Sequence, residues 1–424
     1  MTAEVTRTVT GRVHVHPRGF GFVSVTETDG AITSAFVPPP VLNPFLAGDE
    51  VSAVFVTADD GRVSAQDLRL VKRTRARLFG EVVVRKGTPF LKVDREVANT
   101  DWPLVVARGT KVTAGAHAVG RVDGDTVVLE KIVPPASDAS LERVIARHNL
   151  RDEVPPPALE DVRRARAVSH EIGHRRDLRE VPTVTVDAPT TRDIDDAIAV
   201  LPADADGAMR LLVSIADASE AIPEGCALDL DARDRATSVY LAGRVLPMIP
   251  DGLSAEWLSL LPGEDRRCLT VEMRIDPEGR ITAADVYESV IRSWARLNYT
   301  EVNAWLEHAD VSPAMEPVRA TLPWLRTAFA RLGVARARRG GVVIESDEAK
   351  VIVDPVTGEP QSIETVRSNA AHMLIERFMV AANEAIGADG AETDATYYRD
   401  TVHLTAAGYA IVAGVVADAV ERLL

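Results

Sequence analysis

The stretch Val184-Thr185-Val186-Asp187-Ala188-Pro189-Thr190-Thr191-Arg192-Asp193-Ile194-Asp195-Asp196-Ala197 gathers four carboxylates around one short turn. The β-branched run before Asp187 reads as a strand, and Pro189 ends it. Neighbouring carboxylates ~4 Å apart repel by several kcal/mol at the effective dielectric of a protein surface. Such a set is stable when solvated, when partly protonated, or when cations sit between its members. Oxygen donors without Cys or His nearby select Mg²⁺ or Mn²⁺ over zinc. Paired divalent ions suit in-line phosphodiester hydrolysis. A solvated acidic loop is the simpler alternative, and the aspartates alone leave it open. Nearby Asp204-Ala205-Asp206-Gly207 makes the contrast: it lacks the later ligands of an EF-hand and, lying between apolar runs, predicts a hairpin turn.

Around this centre the chain has 424 residues, 46% hydrophobic and 26% charged, which points to a globular protein of two to four domains. Met1-Thr2-Ala3-Glu4-Val5-Thr6-Arg7 lacks the apolar core of a signal peptide, and no later run is long enough to span a bilayer. Cys226 and Cys268 offer neither a disulfide framework nor metal-ligand spacing. A cytoplasmic protein, monomeric by default, is expected. The net charge of −15 argues against indiscriminate coating of nucleic acid. Basic residues nevertheless cluster: Arg69, Lys72, Arg73, Arg75, Arg77; then Arg163, Arg164, Arg166, Arg175, Arg176, Arg179; then Arg331, Arg336, Arg338, Arg339. Basic stripes on an acidic protein suit a channel for a polyanion.

Residues 1–72 read as short strands punctuated by Gly and Asp, the pattern of a small barrel. In Arg18-Gly19-Phe20-Gly21-Phe22-Val23 the two phenylalanines alternate with glycines, so both lie on one strand face, either in the core or stacking on bases. With Gly48-Asp49-Glu50-Val51, this segment resembles a cold-shock OB-fold. Residues 73–135 predict a second OB-like barrel, with turns at Lys86-Gly87 and Asp123-Gly124-Asp125. Residues 136–180 predict a helical linker containing a basic helix over roughly Leu159 to His174. From residue 181 the pattern is α+β, with helices over 325–338 and 368–386 on apolar periodicity.

Over residues 181–386 the chain resembles the catalytic domain of the ribonuclease II/R (RNB) family of 3′→5′ exoribonucleases. The resemblance rests on Thr185 to Ala197, Ser214-Ile-Ala-Asp-Ala-Ser219, Ala236-Thr-Ser-Val-Tyr240, Arg244-Val-Leu-Pro-Met248 and Leu258-Ser-Leu-Leu-Pro262. Tyr287 to Ser293, Ala295-Arg-Leu-Asn-Tyr299 and Ala371-His-Met-Leu-Ile-Glu376 continue it in the family's order. It implies that Asp187, Asp193, Asp195 and Asp196 hold two Mg²⁺ ions (or Mn²⁺) and that Tyr240 stacks on substrate bases. It places Tyr299 and Glu376 near the terminal ribose, with Arg367 as a phosphate ligand and Asp217 either in the site or shaping a strand end. The leading OB-folds agree with residues 1–135, where Phe20 and Phe22 would grip RNA.

The resemblance stops near Ile386, before the segment that carries a catalytic arginine in the family. Residues 387–424 are instead an unassigned tail in which Asp400 and His403 resemble the last block of SGNH hydrolases, without a Gly-Asp-Ser nucleophile. The fold class expected is thus multidomain: OB-fold barrels followed by an α+β catalytic domain cut short at its C-terminal side. The function expected is Mg²⁺-dependent release of nucleoside 5′-monophosphates from single-stranded RNA, weakened unless Arg399, Arg367 or another arginine substitutes. The alternative is an RNA-binding protein with an impaired catalytic domain, and an esterase is a distant third.

Overall fold

The computed structural model describes residues 5–27, 30–133, 139–241, 243–341, 347–354 and 360–392. Arg399, Asp400, His403 and most of the unassigned tail lie outside these residues. The chain divides into two compact units, one holding Met1–Asp152 and the other most of the remainder.

The first unit contains two closed barrels. Strands β1 (Val5–Val15), β2 (Gly21–Thr26), β3 (Ile32–Val37), β4 (Glu50–Thr57) and β5 (Val63–Lys72) close in the order β1-β2-β3-β5-β4. A short helix, α1 (Pro39–Leu42), sits between β3 and β4. Val13, Val23, Ala35, Val37, Leu42 and Phe55 fill the interior. Gly21 is required where strands cross, because a Cβ there would lie 2.4 Å from the His14 carbonyl oxygen. The second barrel is built from β6 (Arg77–Arg85), β7 (Thr88–Val93), β8 (Trp102–Val105), β9 (His117–Asp123) and β10 (Thr126–Val133). Its turns fall at Lys86-Gly87 and at Gly124, all with positive φ. Helix α2 (Ala139–Arg147) follows.

The second unit begins with α3 (Pro156–Ala165), which ends well short of His174. The basic run stops being helical where Trp257 takes over its continuation: the indole donates to the Val168 carbonyl, and His170 lies tilted against the ring at 4.3 Å. A third barrel then closes in the order β11 (Arg176–Asp187), β12 (Asp196–Leu201), β13 (Met209–Ala216), β16 (Asp265–Ile275), β17 (Ile281–Asn298). The turn at Asp204–Gly207 joins β12 to β13 as a hairpin, with Arg274 pairing to both aspartates. Between β13 and β16 lie α4 (Ala218–Ala221), α5 (Ala227–Arg235), β14 (Val239–Leu241), β15 (Arg244–Leu246) and a π-helical turn at Gly252–Trp257. The strand expected near 285–291 is part of the 18-residue β17.

Side chains alternate across the barrel wall. Val184, Val186, Ile198, Val200, Leu211 and Met273 face helices α6 (Tyr299–His308), α7 (Leu322–Arg338) and α8 (Ala370–Glu392) in one core. The alternate positions Thr185, Ser214, Thr270 and Ser289 are fully buried, and the last three form a hydroxyl chain with 2.7 Å links. Strands β18 (Asp347–Val353) and β19 (Pro360–Arg367) precede α8. Among the described residues no helix is long and apolar enough to cross a membrane.

Candidate active site

Asp187 is the last residue of β11 and Asp196 the first of β12, so the aspartate loop is the connection between two barrel strands. The loop is fixed by residues far away in sequence. Ser259 accepts from the Ile194 amide at 3.2 Å and donates to the Arg192 carbonyl at 2.8 Å. The Leu260 amide binds the Ile194 carbonyl, and the Ala216 amide binds the Asp195 carbonyl, both at 2.9 Å. Arg296 donates to the carbonyls of Pro189 and Thr191. Ile194 is wholly buried beneath the loop, which leaves its neighbours Asp193 and Asp195 directed outward.

Their electrostatics are those of crowded anions. Burial, then Asp196, pushes Asp187 up to about 7 against the opposing charge of Arg296. Burial, then Asp193, Asp196 and Asp187, pushes Asp195 up to about 7, although one side of it is open to solvent. Burial pushes Asp196 up to about 6. No lysine or arginine among the described residues forms an ion pair with these four; Arg192 turns to Asp251 instead. Arg296 opposes Asp187 only without pairing to it, so the four carboxylates stay under-compensated among the described residues, and the all-oxygen donor set fits a hard divalent ion. Among the described residues no three candidate ligands are drawn into a closed cage. A cation would have to pull the carboxylates together, as its charge favours.

Two tyrosines join them. The Tyr240 hydroxyl donates to Asp193 Oδ2 at 3.3 Å while the residue stays 69% exposed, so its ring is free to stack. Tyr299 follows Asn298, which stands opposite Asp187 in the parallel β11–β17 pairing and caps α6 in a capping box with Glu301. Burial and the charges of Asp187 and Asp196 push Tyr299 up to about 12, which keeps its hydroxyl a neutral donor.

The other expected site residues have these surroundings. Glu376 on α8 is engaged by Arg336 of α7 at 2.9 Å rather than joined to the aspartates. Arg367 lies exposed at the end of β19. Asp217 is buried in structural work: it caps α4, accepts from Ser219 at 2.6 Å and pairs with buried Arg175 at 2.7 Å. Ser259 and Arg296 carry no chemical signature and were reachable from sequence only as members of matching motifs.

In the first barrel, Phe20 and Phe22 lie outside the core. Their centroids are 5.8 Å apart, each lies within about 6 Å of Phe36, and His16 stacks on Phe20 at 4.3 Å. Phe36, missed in the sequence reading, alternates with buried Ala35 and Val37, and its exposure of 41% marks an open aromatic surface. The basic stripes are mostly consumed internally. Arg73 pairs with the wholly buried Asp49, and Arg75 donates to the carbonyls of Ala47 and Ala146. Arg164, Arg166, Arg176 and Arg179 pair with Asp161, Glu256, Asp285 and Asp177. Arg69, Lys72 and Arg338 remain exposed.

The RNB domain model matches residues 175–401, and the Ribonuclease B OB domain model matches residues 11–69. Ribonuclease R of Aquifex aeolicus is 32% identical over 393 residues, covering 89% of this chain and 54% of that protein. Ribonuclease R of Escherichia coli is 31% identical over 403 residues, covering 88% and 47%. The chain thus spans about half the length of the curated relatives it matches. Among solved structures, Mycoplasma genitalium RNase R in complex with ribose-methylated single-stranded RNA superposes with a TM-score of 0.75 at 23% identity, covering 90% of this chain and 62% of that one. Yeast Ssd1, a pseudonuclease, gives 0.61 at 15% identity, covering 90% and 54%. A match of this extent, on a third barrel whose aspartate loop, Ser259 brace and Tyr299 all fall inside it, means that the chain belongs to the RNB-domain family.

Proposed function

We propose that this chain is a Mg²⁺-dependent exoribonuclease that takes single-stranded RNA from its 3′ end and releases nucleoside 5′-monophosphates. The observation that carries this reading is four aspartates on one braced loop that no lysine or arginine among the described residues meets in an ion pair. Asp187, Asp193, Asp195 and Asp196 would hold the metal; Mg²⁺, or Mn²⁺, supplies an activated water and neutralises charge on the departing oxygen. Ser259 and Arg296 keep the loop's carbonyls occupied, so the loop backbone is fixed and only the carboxylate side chains have to close on a cation. Tyr240 offers an exposed ring beside Asp193 for a base. Tyr299 offers a neutral phenol beside Asp187 and Asp196 for the sugar of the last nucleotide, where a 2′-hydroxyl separates RNA from DNA. In the first unit, His16, Phe20, Phe22 and Phe36 offer a stacking surface for RNA bases.

The test is end-labelled single-stranded RNA incubated with purified protein and Mg²⁺. Shortening from the 3′ end to mononucleotides is expected, with Asp195→Asn binding RNA but not shortening it. Turnover in excess chelator overturns the metal assignment. Tight binding with an unchanged RNA ladder at high Mg²⁺ favours the second reading, an RNA-binding protein with an impaired catalytic domain on a fold like that of Ssd1.

A further inference from the structure

Tyr299 is held by more than its own helix. Its ring lies against His372 of α8 with centroids 4.0 Å apart and planes 14° from parallel. His372 is itself fixed. Its Nδ1 lies 2.8 Å from Asn369 Oδ1 and 3.4 Å from the Asn369 amide nitrogen, so one residue holds this ring nitrogen from both side chain and backbone. The same oxygen accepts from the amides of Ala371 and His372, at 3.0 and 3.2 Å, so Asn369 caps α8 and clamps the imidazole at once. Asn303 of α6 reaches across to accept from the Ala370 amide at 3.1 Å, which ties the start of α8 to the helix that Tyr299 opens.

The outcome is a planar plate behind a planar ring. Tyr299 is half-buried, and none of the hydrogen bonds formed among the described residues uses its hydroxyl, whereas Tyr287 spends its hydroxyl on Glu272 at 2.6 Å. A tyrosine at a helix start keeps freedom about its side-chain torsions unless packing removes it. The stacked imidazole removes it by allowing the ring to lie in one plane only.

We propose that His372, clamped by Asn369, is a positioning residue that holds Tyr299 so that its hydroxyl faces the 2′-hydroxyl of the terminal ribose. The proposal rests on the reading of Tyr299 given under the proposed function. Its chemistry predicts that the histidine matters through shape rather than through proton transfer, so a flat apolar ring serves in its place and a branched aliphatic side chain of similar bulk does not.

The experiment is equilibrium binding by the full chain, in excess chelator, of a short single-stranded RNA and of the same oligonucleotide ending in a 2′-deoxynucleotide. One neutral hydrogen bond is worth ~1 kcal/mol, or about a fivefold difference in affinity. Wild type is expected to prefer the ribose end by about that factor, and Tyr299→Phe to lose the preference. His372→Leu is expected to lose it as well, and His372→Phe to keep it, with unfolding temperatures recorded for all variants. In a Tyr299→Phe background, His372→Leu is expected to change nothing further. If wild type and Tyr299→Phe behave alike, the ribose reading of Tyr299 falls. If Tyr299→Phe loses the preference while a folded His372→Leu keeps it, or if His372→Phe fails as badly as His372→Leu, the positioning role falls and the ribose reading stands.

Discussion

Replacing Asp217 by alanine should destabilise the third barrel without touching its affinity for Mg²⁺. Asp217 belongs to a motif of acidic and small residues beside the aspartate loop, so a ligand role and a structural role make opposite predictions. The side chains of Arg175 and Asp217 are 1% and 3% exposed and meet at 2.7 Å. Removing one partner of a buried pair costs ~3–5 kcal/mol because the other charge is stranded. Glu220, 2.9 Å from the same guanidinium, keeps part of the compensation and places the cost near the lower end, ~3 kcal/mol. Loss of the α4 cap adds ~1 kcal/mol. For a unit of this size ~1 kcal/mol corresponds to about 2–4 °C, so the unfolding temperature should fall by roughly 8–16 °C. Thermal unfolding followed by circular dichroism, with and without Mg²⁺, reads both quantities. The rise in unfolding temperature on adding Mg²⁺ should match that of wild type, and Arg175→Met in the Asp217→Ala background should recover part of the loss by removing the stranded charge. A small drop in unfolding temperature combined with loss of the Mg²⁺ response would make Asp217 a ligand and defeat the structural account.

Three further substitutions probe the rest. Asp195→Asn removes a charge that burial and then its like-charged neighbours disfavour, so in chelator at neutral pH the variant should unfold at a higher temperature than wild type while losing the Mg²⁺ response; a lower temperature in chelator contradicts that destabilisation. The triple variant Phe20→Ala, Phe22→Ala, Phe36→Ala should weaken binding of long RNA by up to ~1–3 kcal/mol per stacked base, affect very short RNA less, and leave the unfolding temperature almost unchanged, because the rings lie outside the barrel core. Gly279→Ala should be poorly soluble or unfold early: the residue has φ +83° and a Cβ would sit 2.1 Å from the Arg331 carbonyl oxygen, so ordinary stability in the variant would show that the β16–β17 turn moves away from α7.

Local signals were legible, and long-range pairings were not. The aspartate loop is contiguous, and the alternation of Phe20, Gly21, Phe22 and Val23 carries its own face assignment, although only the structure distinguishes an outward platform from a core pair. Helix α3 was read too long because the interaction that ends the helix comes from Trp257, about ninety residues away. The arginine stripes were read as open to a polyanion, yet Arg175 and Arg179 are answered by Asp217 and Asp265, which adjacency in sequence never shows. In a chain with more acids than bases, an arginine has many carboxylates within reach, so a linear cluster of them predicts ion pairs at least as well as it predicts a binding stripe. Glu376 illustrates the same point on a helix: its face of α8 was legible, but its partner on α7 was not.

The topology explains why the aspartate loop and Tyr299 occur together although more than a hundred residues separate Asp187 from Tyr299. The barrel closes by parallel pairing of its first strand with its last, so β11 and β17 end at the same rim. Register then sets Asp187 opposite Asn298, and the residue after Asn298 is Tyr299. Antiparallel closure would have sent the two to opposite ends of the barrel. The aspartate loop starts β12 with Asp196 at that rim, the hairpin β12–β13 returns Ile215 to pair with it, and the next residue along, Ala216, holds the Asp195 carbonyl. A slip of one residue between β11 and β17 would turn Asp187 to the other face of the wall and expose Val184 and Val186, which are buried against the helices. The apolar helix-facing side of the barrel therefore enforces the position of the acidic rim: the register that buries the valines is the register that brings Asp187 beside Tyr299.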